Sequence, residues 1–173
     1  IWVALCLTGS FSSQVPFRGW CVRVKPDGTM VPTCSGIRSP GGIGFDAAGD
    51  AYYMDNQGPW HGSCTLQHLV PGTFQGHPGG NIWYDKAPNM GPRPVDPVPE
   101  AFQGDRKRGD KTPHVDPDRM VTERKRIKEL LPPVVYMVHG KIGNSSSFIV
   151  CDLSEGKFGP FKNQLFIADQ SHS

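Results

Sequence analysis

The chain has 173 residues, enough for one ordinary domain, and a net charge of +2, which sets up no general field for nucleic acid or an acidic partner. Hydrophobic residues make up 37%, while 21 Gly and 17 Pro supply turn-formers well above average usage. That composition argues against a helical bundle and for many short strands joined by tight turns.

Residues 1–7 are apolar and strand-like. They are too short to span a bilayer, and no basic region precedes them as it would in a signal peptide. Both chain ends read as cut from a longer protein. Residues 10–16 form a polar loop. Trp20-Cys21-Val22-Arg23-Val24 alternates as a half-buried strand, and Pro26-Asp27-Gly28 turns it back into residues 29–34.

A second unit follows: residues 42–45, the turn Asp46-Ala47-Ala48-Gly49-Asp50, then residues 51–54. A third unit lies near the end: residues 148–152, a Gly/Pro-rich hairpin, then residues 164–169. The two units are weakly self-similar. Each has a first strand closed by Asp (Asp46, Asp152) and a second closed by Asp and soon Gln (Asp55 with Gln57, Asp169 with Gln170). Recurring β units of this kind point to a β-propeller. A few blades cannot close a ring, so an open edge is expected.

Residues 89–133 read as an insertion on that domain. Residues 89–99 are punctuated by Pro92, Pro94, Pro97 and Pro99, and residues 103–113 are polar and charged. One helix is expected over residues 116–131, capped by Asp116, with Pro117 in its first turn and Pro132-Pro133 ending it. Met120, Ile127, Leu130 and Leu131 fall on one side of it. The expected fold is thus all-β, a partial propeller across residues 1–173 with one inserted helix.

Arg38-Ser39-Pro40-Gly41-Gly42-Ile43-Gly44-Phe45-Asp46 resembles the Arg-Asn-Pro-Gln-Gly strand entry of soluble quinoprotein glucose and sorbosone dehydrogenases. Asp55-Asn56-Gln57-Gly58-Pro59 and Gly76-His77-Pro78 continue that likeness over about residues 36–78. Across nearly its whole length the chain is similar to large propeller proteins of planctomycete-type bacteria labelled membrane-bound dehydrogenases. The shared strings include Asp55-Asn56-Gln57-Gly58-Pro59-Trp60, Phe74-Gln75-Gly76-His77-Pro78-Gly79-Gly80 and Gly159-Pro160-Phe161-Lys162-Asn163-Gln164-Leu165-Phe166.

The resemblance implies a six-bladed propeller in a secreted bacterial protein, periplasmic or extracellular, possible membrane association coming from parts outside this chain. It implies pyrroloquinoline quinone (PQQ) on the axis with Ca²⁺ beside it. Arg38 and Ser39 would meet the quinone, and Gly58 and Pro59 would offer carbonyls to the calcium. A sugar or alcohol would be oxidised, with electrons passed to a cytochrome-type haem partner. Ser39 and Gly41 stand where the family has Asn and Gln. The family's His base lies in an earlier blade, and none of the six His here is assigned to that role.

Each signal has a plainer reading beside it. Arg38 binds a ligand or caps a strand end; Gly58-Pro59 contacts calcium or is a turn. His61, Cys64, His68 and His77 match no common zinc spacing and read as strand and loop residues. The strand-end aspartates hold turns by Asx-type hydrogen bonds. Arg106-Lys107-Arg108 and Arg124-Lys125-Arg126 read as solvated surface, and Asn144-Ser145-Ser146 as a chance glycosylation sequon. The five cysteines, Cys6, Cys21, Cys34, Cys64 and Cys151, form no Cys-x-x-Cys pair, and their odd number leaves at least one thiol free or partnered outside the chain. Two functions therefore compete: a quinoprotein dehydrogenase, and a non-catalytic propeller scaffold that binds carbohydrate or protein.

Overall fold

The computed structural model describes residues 1–9, 12–58, 61–95 and 119–170. Among them are the strands β1 (Trp2–Leu5), β2 (Trp20–Val24), β3 (Met30–Ser35), β4 (Pro40–Phe45), β5 (Ala51–Asp55), β6 (Cys64–His68), β7 (Val135–Met137), β8 (Ser146–Cys151) and β9 (Leu165–Asp169). They form three antiparallel sheets in the orders β1-β2-β3, β4-β5-β6-β7 and β8-β9, and none of the sheets closes on itself.

The turns follow local chemistry. Between β2 and β3, Gly28 takes a φ of 83° and the Thr29 amide donates to the Asp27 carboxylate at 2.9 Å. Between β4 and β5, Asp46 accepts the Ala48 and Asp50 amides, and Gly49 takes a φ of 89°. Both are positions where a side chain would strain the backbone.

The sheets stack in chain order with an apolar layer at each junction. Cys21, Cys34 and Ile37 from the first sheet and its exit meet Ala51, Tyr53 and Leu69 from the second and its exit, with Ile43 beside them. On the other side of the second sheet, Met54, Cys64, Leu66 and Met137 meet Ile149 of β8, with Leu165 and Ile167 of β9 packed against them. The outer face of the first sheet is covered by 3-10 helical turns over Pro78–Lys86 and Pro88–Met90, which the sequence pattern does not announce. There Trp20 is fully buried, packs against Tyr84 and donates from Nε1 to the Gly80 carbonyl at 2.8 Å.

The second and third sheets come together through glycines. A Cβ on Gly41 would sit 2.4 Å from the Ser146 carbonyl oxygen, and one on Gly44 would sit 2.7 Å from the Ile149 Cβ. The register breaks between Pro40 and Gly42, so β4 is bulged where β8 crosses it.

The internal repeat is a structural one. Pro40 pairs with Asp55, and Ser146 pairs with Asp169. Asn56 donates its amide to the Ser39 carbonyl, as Gln170 does to the Ser145 carbonyl. Ile43 and its counterpart Ile149 both face the preceding sheet. Gly42 and Gly44 face the following sheet, while their counterparts Phe148 and Val150 remain 69% and 62% exposed.

The helix expected over residues 116–131 is shorter in the structure. Asp116 and Pro117 lie outside the described residues, and α1 spans Arg119–Glu123. Of the expected apolar side, Met120, Ile127 and Leu130 are buried around Phe74, while Leu131 is only half-buried and outside that cluster. Beyond Glu123 the backbone is drawn into pairing with Phe74, whose amide donates to Glu129 and whose carbonyl accepts from Leu131. A continuing helix would need those same groups for its own ladder. No helix among the described residues is long and apolar enough to cross a membrane.

Candidate functional site

The chain enters β4 through a corner that buries several polar groups. Gly36 leads into it with a φ of 82°, and a Cβ there would lie 2.7 Å from the Gln75 and Gly76 amides. Ile37 is buried, and Arg38 follows at 7% exposure.

Asp55, at the end of β5, organises this corner. Its carboxylate accepts the Arg38 amide at 2.9 Å, the Ser39 amide at 2.7 Å and the Tyr53 hydroxyl at 3.1 Å. Burial pushes the Asp55 carboxyl up to about 6, against the pull of the two amides, the Arg38 charge and Tyr53. Tyr53 is itself raised well above the usual phenol value, by burial first and by Asp55 second.

The Arg38 side chain returns across the same turn. Its Nη1 donates to the Gln57 carbonyl at 2.8 Å and to the Asn56 carbonyl at 3.3 Å. The guanidinium lies flat against Gly58: a Cβ there would be 2.1 Å from Cζ. Gly58 closes the turn by donating its amide to the His61 carbonyl at 2.6 Å. Arg38 and Gly58 therefore lie together, as the hairpin from β4 to β5 requires. Pro59 lies outside the described residues.

Two histidines complete the cluster. His61 is fully buried, with neither ring nitrogen hydrogen-bonded among the described residues. The His77 ring lies 6.1 Å away, and its Nδ1 accepts the Gly79 amide, which leaves a neutral ring's proton on Nε2. Burial, and then the Arg38 charge, bring His61 down to about 3. His77 is lowered well below its usual range by burial, His61 and Arg38. Both rings are therefore neutral at physiological pH and unsuited to donate a proton as imidazolium.

The other candidate ligands are dispersed. His68 stacks on Tyr52 at 4.8 Å, with Nε2 4.0 Å from Asp50. Cys64 donates from Sγ to Asn56 Oδ1 at 3.7 Å. No group of three His, Cys, Asp or Glu side chains able to hold a metal is present among the described residues. The strand-end aspartates divide into two kinds. Asp46 and Asp152 close Asx turns, onto Ala48 and Ser154. Asp55 and Asp169 instead tie the entry of a neighbouring strand, Asp169 through the Asn144 and Ser145 amides.

The residues matched to the quinone contacts are bonded within the chain. Arg38 donates from Nη1 to backbone carbonyls of its own turn, the Ser39 amide is taken by Asp55, and the Ser39 carbonyl accepts both the amide and Nδ2 of Asn56. Gly41 lies under the β8 backbone, where no ligand has room. The pairing of His61 with His77 had no sequence signal, because it depends on how the turn at Gly58 meets the entry to the 3-10 segment.

An open space lies elsewhere. A groove of about 630 Å³ opens on the outer face of the third sheet, lined by Val150, Cys151, Asp152, Leu153, Ser154, Phe158 and Phe166. Phe158, Phe161 and Phe166 contact one another edge-to-face or tilted, with centroids 5.6–5.9 Å apart. No family, no curated protein and no solved structure was found to match the chain.

Proposed function

We propose that this chain is a run of stacked β-propeller blades serving as a non-catalytic scaffold, and that the bare face of its third sheet receives a further apolar β-sheet. The observation that carries this is the equivalence of β4 and β8. The face of β4 that bears Gly42 and Gly44 is covered by β8, and the same face of β8 bears Phe148 and Val150 and is uncovered. Continuing the stacking that joins the first sheet to the second, and the second to the third, puts another sheet against Phe148, Val150, Phe158 and Phe166. Apolar area of this kind is costly to leave in water, at about 25 cal/mol per Å².

The competing reading is oxidation of a sugar or alcohol through PQQ and Ca²⁺. It would need Arg38 and Ser39 to turn donors toward a quinone, and Arg38 Nη1 and the Ser39 amide are directed to groups of the chain itself. His61, fully buried and held down to about 3, is a weak base for taking an alcohol proton. Arg38 is best read as a lock on the Asn56–Gly58 turn.

Three measurements test the scaffold reading. Replacing Phe148 and Val150 by Ser should lower self-association and binding of an apolar-surface dye, with little change in unfolding midpoint. Replacing the inward-facing Ile149 by Ser should unfold the third sheet. Calorimetric titration with PQQ and Ca²⁺ should give no binding heat. Micromolar, Arg38-dependent binding would support the dehydrogenase reading instead.

A further inference from the structure

We propose that Cys21 and Cys34 are the two halves of a cross-strand disulfide, formed by exchange with a small-molecule disulfide while the first sheet is open or still folding, and then sealed inside the core. The two residues are direct register partners across β2 and β3. Opposite residues in an antiparallel pair have Cα atoms about 4.5 or 5.5 Å apart, depending on the hydrogen-bonding position. Both separations fall within the disulfide window of about 4.4–6.8 Å. The side chains share one face, since both pack with Ile37, Ala51 and Tyr53, and both are fully buried. The register shifts beside Cys21, where two residues of β3 oppose one step of β2, which gives the strands local freedom to close on the bond.

The other cysteines have no such partner. Cys64 pairs across its sheet with Met137 and Cys151 with Leu165. Cys6 donates from Sγ to the Arg38 carbonyl at 3.3 Å. One bond and three thiols would account for the odd number. All five are free thiols in this structure.

Burial decides when the bond can form. It pushes the Cys21 thiol up to about 12 and the Cys34 thiol higher still, with the neighbouring Cys21 adding to the shift at Cys34. Thiolate, the attacking species, is therefore scarce while the sheet is closed. When the sheet opens, one cysteine thiolate attacks the external disulfide and releases one small thiolate. The second cysteine thiolate then attacks the mixed disulfide and releases the other. The protein loses two protons and two electrons, and the external disulfide is reduced to two thiols.

The test uses the full chain, refolded from urea with either oxidised glutathione or dithiothreitol, alkylated in denaturant without reductant, and digested with trypsin. Cleavage after Arg18, Arg23 and Arg38, with Lys25 protected by Pro26, puts the two cysteines on separate peptides. With oxidised glutathione the expected product joins residues 19–23 to residues 24–38, with complete loss of alkylation at Cys21 and Cys34, while Cys6, Cys64 and Cys151 are recovered alkylated or as glutathione adducts and not joined to another peptide. The folded chain treated with the same oxidant should cross-link more slowly, and mild urea should speed it. Linkage of either cysteine to a different partner, or full alkylation of both after oxidative refolding, would overturn the proposal. Cys34→Ser should leave Cys21 as a thiol or as its glutathione mixed disulfide, with no link to another peptide; if Cys21 then joins another cysteine in equal yield, the pairing carries no preference and the proposal fails.

Discussion

Asp169 holds the third sheet as Asp55 holds the second: each carboxylate, on the last residue of its strand, accepts the two amides that lead into the partner strand of its hairpin. Removing such a group strands two donors at about 1–3 kcal/mol each where they are buried. Asp55→Ala should therefore lower unfolding free energy by about 2–6 kcal/mol. Asp169→Ala, in a half-exposed setting, should cost less and act locally. Urea denaturation gives the magnitudes. Amide exchange should show loss of protection confined to β8–β9 in the second variant.

The buried corner gives opposite pH dependences to two variants. His61 is held at about 3 against 6.5 for an ordinary ring, so its contribution to stability is present above 6.5 and is lost as pH falls toward 3. Asp55 is raised from 3.8 to about 6, so its contribution is present below 3.8 and is lost as pH rises through 6. His61→Phe should flatten the loss of stability between pH 6.5 and pH 4. Asp55→Asn should steepen it, whatever it does to stability at neutral pH. Thermal midpoints across that range, compared as slopes, distinguish the two signs.

Arg38 and Gly58 should be energetically coupled. A methyl on Gly58 would collide with the guanidinium. Gly58→Ala should thus cost more in the native background than in an Arg38→Ala background. The coupling expected for groups in direct contact is about 0.5–3 kcal/mol. Arg38→Lys keeps the charge but removes the guanidinium atoms that a Cβ on Gly58 would meet, so Gly58→Ala should cost less in that background than in the native one. A double-mutant cycle by chemical denaturation measures both statements.

The approach of the second and third sheets depends on absent side chains. Gly44→Ala puts a methyl 2.7 Å from both the Cβ and the carbonyl oxygen of Ile149. Over-packing of this kind costs about 1–3 kcal/mol. Adding Ile149→Ala should recover none of the loss, since the Cβ and carbonyl oxygen at position 149 persist and a buried side chain is truncated. Thermal unfolding of the single and double variants tests this.

What could be read from the sequence was local. Pro26-Asp27-Gly28 and Asp46-Ala47-Ala48-Gly49-Asp50 carry their turn chemistry within five residues, and both hairpins form where expected. The recurrence of Asp at strand ends was also legible, and proved to be a repeat in three dimensions. Strand β7 was not, because three residues after a double proline have no pattern of their own until β6 supplies a partner. Gly41 read as a missing polar contact, whereas its position is set by the nearness of the Ser146 backbone. For Arg38 the motif named the residue but not its direction; side-chain aim follows from the Asn56–Gly58 turn closing around it.

The order of strands in the second sheet has a consequence for the speed of folding. β4, β5 and β6 follow one another closely, but residues 69–134 separate β6 from β7 in the sequence. Closing that long excursion loses chain entropy before the short Leu66–Val135 ladder can offset it. The three-stranded meander should therefore assemble early, and its fourth strand should arrive late, after Phe74 has gathered Leu130. During that interval the far edge of β6 is exposed to other chains, so the yield of refolding should fall as protein concentration rises even where the finished sheet is stable.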